Sequence, residues 1–74
     1  MKRYRNLSGQ SGVVAYEIGN GWIAVKFDGG DVYRYTARSA GAENIKQMQR
    51  LAERGQGLST FISRHVKDRY EDKY

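Results

Sequence analysis

The stretch VVAYEIGNGWIAVKFDGGDVYRYT, residues 13–36, decides the fold class of this chain. Three runs, Val13–Ile18, Trp22–Phe27 and Val32–Thr36, are rich in aromatic and β-branched residues, and two glycine turns separate them. Asn20-Gly21 between apolar runs predicts a two-residue type I′ hairpin, whose central residues both need positive φ. That turn sets Ile18 opposite Ile23, Tyr16 opposite Val25 and Val14 opposite Phe27, and all six fall on one face. Trp22 then lies opposite Gly19 and covers it. In the second turn, a three-residue loop Gly29-Gly30-Asp31 sets Phe27 opposite Tyr33 and Val25 opposite Tyr35. Both tyrosines join the apolar face, where they read as core packing with hydroxyls at the rim; the alternative is that they stack on bases, as in open-sheet RNA binders.

The other face carries Val13, Ala15, Glu17, Trp22, Ala24, Lys26, Val32 and Arg34. It stays open if helices cover only the first. Trp22 with Lys26 and Arg34 would make a stacking and phosphate-binding surface. The same residues would serve a protein-interaction or self-association patch, since Trp and Arg are favoured at interfaces.

After Thr36 the period changes. Ile45, Met48, Leu51 and Ala52 recur at helical spacing between about 42 and 54, with Ser39 as the expected N-cap and Gly55 as the stop. Gly57 forces a sharp connection. Leu58, Phe61, Ile62, His65, Val66 and Tyr70 then form the cleanest amphipathic pattern in the chain, and residues 71–74 are expected to fray. Lys46, Arg50 and Arg54 step along the first helix as a row that would track a phosphate backbone or, as the commoner case, form a solvated face. The expected fold is α+β: a three-stranded antiparallel β-meander followed by two α-helices packed on one face. Residues 13–70 form the domain, and 1–12 a flexible basic arm.

Charge and composition narrow the function. The net charge is +5, and Lys2, Arg3 and Arg5 place +3 of it in the first twelve residues, where there is no acid. Such an arm adds non-specific attraction to nucleic acid. With no cysteine there is neither disulfide nor thiolate metal site, and no apolar run approaches a membrane span. The chain reads as a soluble cytoplasmic protein. Its single histidine, His65, has Ser63 two positions away, so the pair projects in different directions and no nucleophile–base pair forms on the helix. Asp28 and Asp31 are too few oxygens for a calcium loop and suit turn chemistry. These features point to no catalytic activity and no cofactor. The partners they point to are RNA, a protein partner or a second copy in a homodimer. The candidate nucleic-acid-binding residues are Trp22, Lys26, Arg34, Arg38, Lys2, Arg3 and Arg5.

Tyr33-Arg34-Tyr35 following Val25-Lys26-Phe27-Asp28-Gly29-Gly30 resembles the Tyr-x-Tyr strand of the KTSC domain, named for the C-terminus of some lysyl-tRNA synthetases. Ala52, Gly55, Leu58, Ile62 and Arg64 are similar to that family's continuation, a helix ending near a small residue and glycine, then a hydrophobic segment with a basic residue. The resemblance spans roughly residues 12–70. It departs from the family where the first helix begins, since the family has a Val-Pro-like pair there and this chain has no proline. An aromatic residue that commonly follows the family's glycine is also missing, with Gly57 close to its place. The resemblance implies a small free-standing bacterial domain of no established catalytic role. It also implies RNA binding, by association with a tRNA ligase, and a structural role for Tyr33 and Tyr35.

Overall fold

The computed structural model describes all 74 residues. It is an α+β fold: a five-stranded antiparallel meander, in chain order, with helices packed on one face. The strands are β1 (Lys2–Arg3), β2 (Val13–Gly19), β3 (Trp22–Phe27), β4 (Val32–Thr36) and β5 (Asp72–Lys73). Helices α1 (Ala37–Ala40), α2 (Ala42–Arg54) and α3 (Leu58–Phe61) lie between β4 and β5. A π-helical turn, Ile62–Val66, extends α3. No helix is long and apolar enough to cross a membrane.

The central hairpin has the expected register, with Ile18 opposite Ile23, Tyr16 opposite Val25 and Gly19 opposite Trp22. The turn is built differently. Positive φ occurs at Gly21 but not at Asn20, the pattern of a type II rather than a type I′ turn. A β-bulge at Val14 is a second difference. Val13 pairs with Phe27 and Ala15 with Lys26, so Val14 is the extra residue. The bulge inverts the alternation below it: Val13 is fully buried, and Val14, expected on the core face, is exposed. In the next pairing Val25 faces Tyr33 and Ile23 faces Tyr35, two residues from the expected register. A shift of two preserves the faces, so both tyrosines still point at the helices. The loop is Asp28-Gly29-Gly30, closed by Gly30 N–H donating to the Phe27 carbonyl and Phe27 N–H to that of Asp31.

The core forms between this face and the helices, from Val13, Tyr16, Ile23, Val25 and Tyr35 against Ile45, Met48, Ala52, Leu58, Ile62 and Val66. The helix boundaries follow the glycines. Gly55 ends α2 with φ +82°, its N–H donating to the Leu51 carbonyl, and Gly57 precedes α3 at φ +88°. Ser39 is not the N-cap of α2. Thr36 caps α1, and Ser39 completes its capping box: Thr36 Oγ1 accepts from Ser39 N–H, and Ser39 Oγ accepts from Thr36 N–H.

Both chain ends correct the expectation of a mobile arm and a frayed tail. Lys2 and Arg3 pair with Tyr16 and Ala15, and Tyr4 is buried at 3% exposure, its hydroxyl accepting from the Leu58 N–H. Arg5 donates to the carbonyls of Glu53 and Arg54, the last of α2, which have no partner inside the helix. The second helix does not run on to Tyr70. Lys67 N–H donates to the Ile62 carbonyl, five residues back, and Lys67 turns the chain at φ +47°. The backbone then returns along β4 as β5, with Tyr33 opposite Lys73 and Arg34 opposite Asp72. The wider π turn also rotates His65 off the apolar face. It is exposed and stacks on Phe61 at 4.5 Å.

Candidate nucleic-acid interface

Helices cover one face of the sheet only, and the other is read from the pairings. Arg3, Ala15, Lys26 and Val32 lie side by side across β1 to β4, and Tyr74 extends the row through paired backbone bonds with Val32. Glu17, Ala24, Arg34 and Asp72 form the next row, and Gly19, Trp22 and Thr36 the third. With adjacent strands about 4.8 Å apart, Arg3 and Tyr74 each stand roughly 10 Å from Lys26. Tyr74 is 66% exposed. Arg3 and Lys26 are exposed and make no ion pair.

Arg34 lies on this face but is occupied. Its Nε and Nη2 donate to the two carboxylate oxygens of Asp72 at 2.8 and 2.9 Å, a bidentate pair. That hydrogen bonding holds the Asp72 carboxyl below its ordinary range and raises the guanidinium above its own. Glu71 adds to the same strap by accepting from the Thr36 hydroxyl at 2.7 Å. Both partners of the ion pair are solvent-accessible, so Asp72→Asn is expected to cost little folding stability while freeing Arg34. Chemical denaturation of the variant beside the parent measures that cost.

Trp22 is half-buried. A Cβ on Gly19 would fall 2.0 Å from the indole, so the ring lies directly on that glycine. Gln49 fixes the hairpin end from α2 by donating to the carbonyls of Gly19 and Trp22, each at 3.0 Å. The remaining sequence candidates separate. Lys2 is paired with Tyr16, whose side chain belongs to the covered face, and Arg5 is committed to α2. Arg38 is exposed in α1, two residues beyond Thr36, at the Trp22 end of the sheet and away from the row of Arg3 and Lys26. The structure therefore brings Arg3, Trp22, Lys26 and Arg34 onto one face. It keeps Val32 on that face, as expected, and adds Tyr74, which sequence reasoning left in a frayed tail. The polar tail Glu71-Asp72-Lys73-Tyr74 carries no apolar alternation that would have marked it as a strand.

Tyr33 and Tyr35 lie on the covered face. Tyr33 contacts Phe27 edge-on at 5.4 Å and Tyr70 at 4.9 Å. Tyr35 is 2% exposed, and its hydroxyl donates to the Lys67 carbonyl at 3.4 Å. Burial, with smaller contributions from Tyr33, Tyr70 and Asp68, pushes its phenol up to about 12. In the unfolded chain the phenol ionises near its ordinary value of about 10, so unfolding releases a proton more readily in alkali. Stability is expected to hold below that value and to fall as pH rises towards about 12. Urea unfolding across this range checks the slope, and Tyr35→Phe should flatten it relative to the parent.

No protein-family model, curated protein or solved structure matches this chain.

Proposed function

We propose that the chain is a small, non-catalytic binding module that takes single-stranded RNA on the uncovered face of its sheet. The row Arg3, Ala15, Lys26, Val32 and Tyr74 carries this reading, because it sets two unpaired cations and an exposed aromatic ring along one line across the strands. Cations of this kind position a phosphate backbone, while a ring accepts any base by stacking. Flat sheets with exposed aromatics are an established way to hold single-stranded RNA. The likeness to the KTSC domain, some copies of which are joined to a tRNA ligase, supports the same partner by association. In this reading Tyr33 and Tyr35 shape the core and do not touch the ligand.

The test is an amide chemical-shift titration with a short single-stranded RNA at low and physiological salt. Shifts should cluster on Arg3, Lys26, Val32 and Tyr74 and persist at physiological salt. Arg3→Ala and Lys26→Ala should each reduce the salt slope of log affinity by about 0.7, the value for one lost phosphate contact on a single strand. Shifts confined to the helical side would sink the proposal.

One observation favours a second reading, a protein-interaction or self-association module. Val14, displaced by the bulge, is exposed beside Ala15. Association through such a surface would be nearly indifferent to salt and weakened by Trp22→Ala.

A further inference from the structure

On the helix side of the sheet, a cleft of about 410 Å³ opens between the β4–β5 edge and the π-helical turn. Four aromatic rings, Phe27, Tyr33, Tyr35 and Tyr70, line it together with the carboxylates of Asp31 and Asp68. The rings are held to one another edge to face. Tyr33 meets Phe27 at 88° and Tyr70 at 74°, and Tyr35 meets Tyr70 at 87° with centroids 6.3 Å apart. Its size is within the usual range for small-ligand pockets, about 300–1,000 Å³.

The chain itself shows what this lining attracts. The Lys73 ammonium sits 5.3 Å from the centre of the Tyr33 ring and 3.9 Å from the Asp31 carboxylate. Lys73 is not among the residues lining the cleft, so this internal cation stands at its rim, over Tyr33. A cation over the face of an aromatic ring is attracted by the ring's quadrupole, and convergent rings recognise alkylated ammonium groups in this way. The charges bear on the same point. Lys73 balances Asp31 and Lys67 balances Asp68, so once an incoming cation displaces Lys73 the lining keeps two carboxylates against one cationic side chain, which favours a cation over a phosphate.

We propose that this cleft binds an alkylated ammonium group, the chemistry shared by choline and a methylated lysine side chain. The site is independent of the uncovered sheet face, since its tyrosines lie on the opposite side of the same strands. The ammonium enters over Tyr33 and Tyr70, in competition with Lys73 at the rim, and Asp31 and Asp68 supply the counter-charge.

The experiment is an NMR titration of the intact chain with choline, with N-acetyl-trimethyllysine amide, and with the uncharged isostere 3,3-dimethylbutanol, at matched ionic strength. Both cations should give saturable shifts on the rings of Phe27, Tyr33 and Tyr70, and the Trp22 indole should stay unmoved. Tighter binding of the lysine derivative would assign a polypeptide side chain as the natural ligand, and equal binding a free amine; either sustains the site. Lys73→Ala removes the internal competitor and should tighten choline binding about threefold. Asp68→Asn, at an exposed position that leaves folding intact, should weaken it by about the same factor. The proposal is overturned if neither cation saturates, or if the neutral isostere shifts the same rings with equal affinity. It fails equally if Lys73→Ala leaves choline binding unchanged or weaker.

Discussion

Tyr4→Ala is expected to destabilise the protein by about 3–5 kcal/mol, the usual cost of truncating a large buried aromatic residue. Tyr4 is 3% exposed, belongs to the main core cluster, and satisfies the Leu58 N–H at the start of α3. A domain of this length has about 4–11 kcal/mol of total stability, so the variant should be partly or wholly unfolded at ambient temperature. Tyr4→Phe keeps the ring and loses only the acceptor, with an expected cost of about 1–2 kcal/mol. Urea unfolding of the three proteins gives the comparison. If both variants unfold within a few tenths of a kcal/mol of the parent, residues 1–12 are the loose arm that their charge suggests. β1 would then have no part in the fold.

The second large effect is expected at Gly55. The residue is buried and has φ +82°, and an added Cβ would lie 2.7 Å from the Cβ of Arg5. A left-handed conformation costs a non-glycine residue about 1–2 kcal/mol, and an overpacked contact about 1–3 more. Gly55→Ala should therefore lower stability by about 2–5 kcal/mol, or the melting temperature by about 8–40 °C for a domain this size. The clash arises near the Arg5 backbone, so moving the far end of a flexible side chain does not relieve it. Arg5→Gly removes that Cβ together with the guanidinium that caps α2. In the double variant the steric part of the Gly55→Ala penalty should disappear, and the two changes should be less than additive. Strict additivity in thermal melts would mean that the N-terminal segment does not dock on the end of α2.

Both effects join the first six residues to the α2–α3 corner, a relation with no signature in the sequence. The central hairpin, by contrast, was legible because its turn residues and its apolar alternation agree. Pairings such as Ile18 with Ile23 follow from two local signals that reinforce each other. The Val14 bulge was not legible, since Val13 and Val14 are the same residue type and neither marks which one enters the core. Of the candidate interface, Trp22, Lys26 and Arg34 were placed on the uncovered face by alternation alone. That Arg34 is already engaged was hidden, because its partner Asp72 lies 38 residues away in a segment without periodicity. Arg5 was read as a free cation for a similar reason: its partners are backbone carbonyls 48 and 49 residues distant.

The sequence by itself determined the α+β class, the three central strands, the core face of the sheet and the extent of α2. Each of these rests on periodicity and on glycines at turns or helix ends, which act within a few residues of chain. The tertiary structure alone decided that the sheet has five strands, that both chain ends are its edges, and that α3 closes in a π turn. Edge pairing uses backbone N–H and C=O groups that every segment possesses. Its choice of segment therefore depends on anchors such as Tyr4 and Tyr70, which find their positions only once the core has formed.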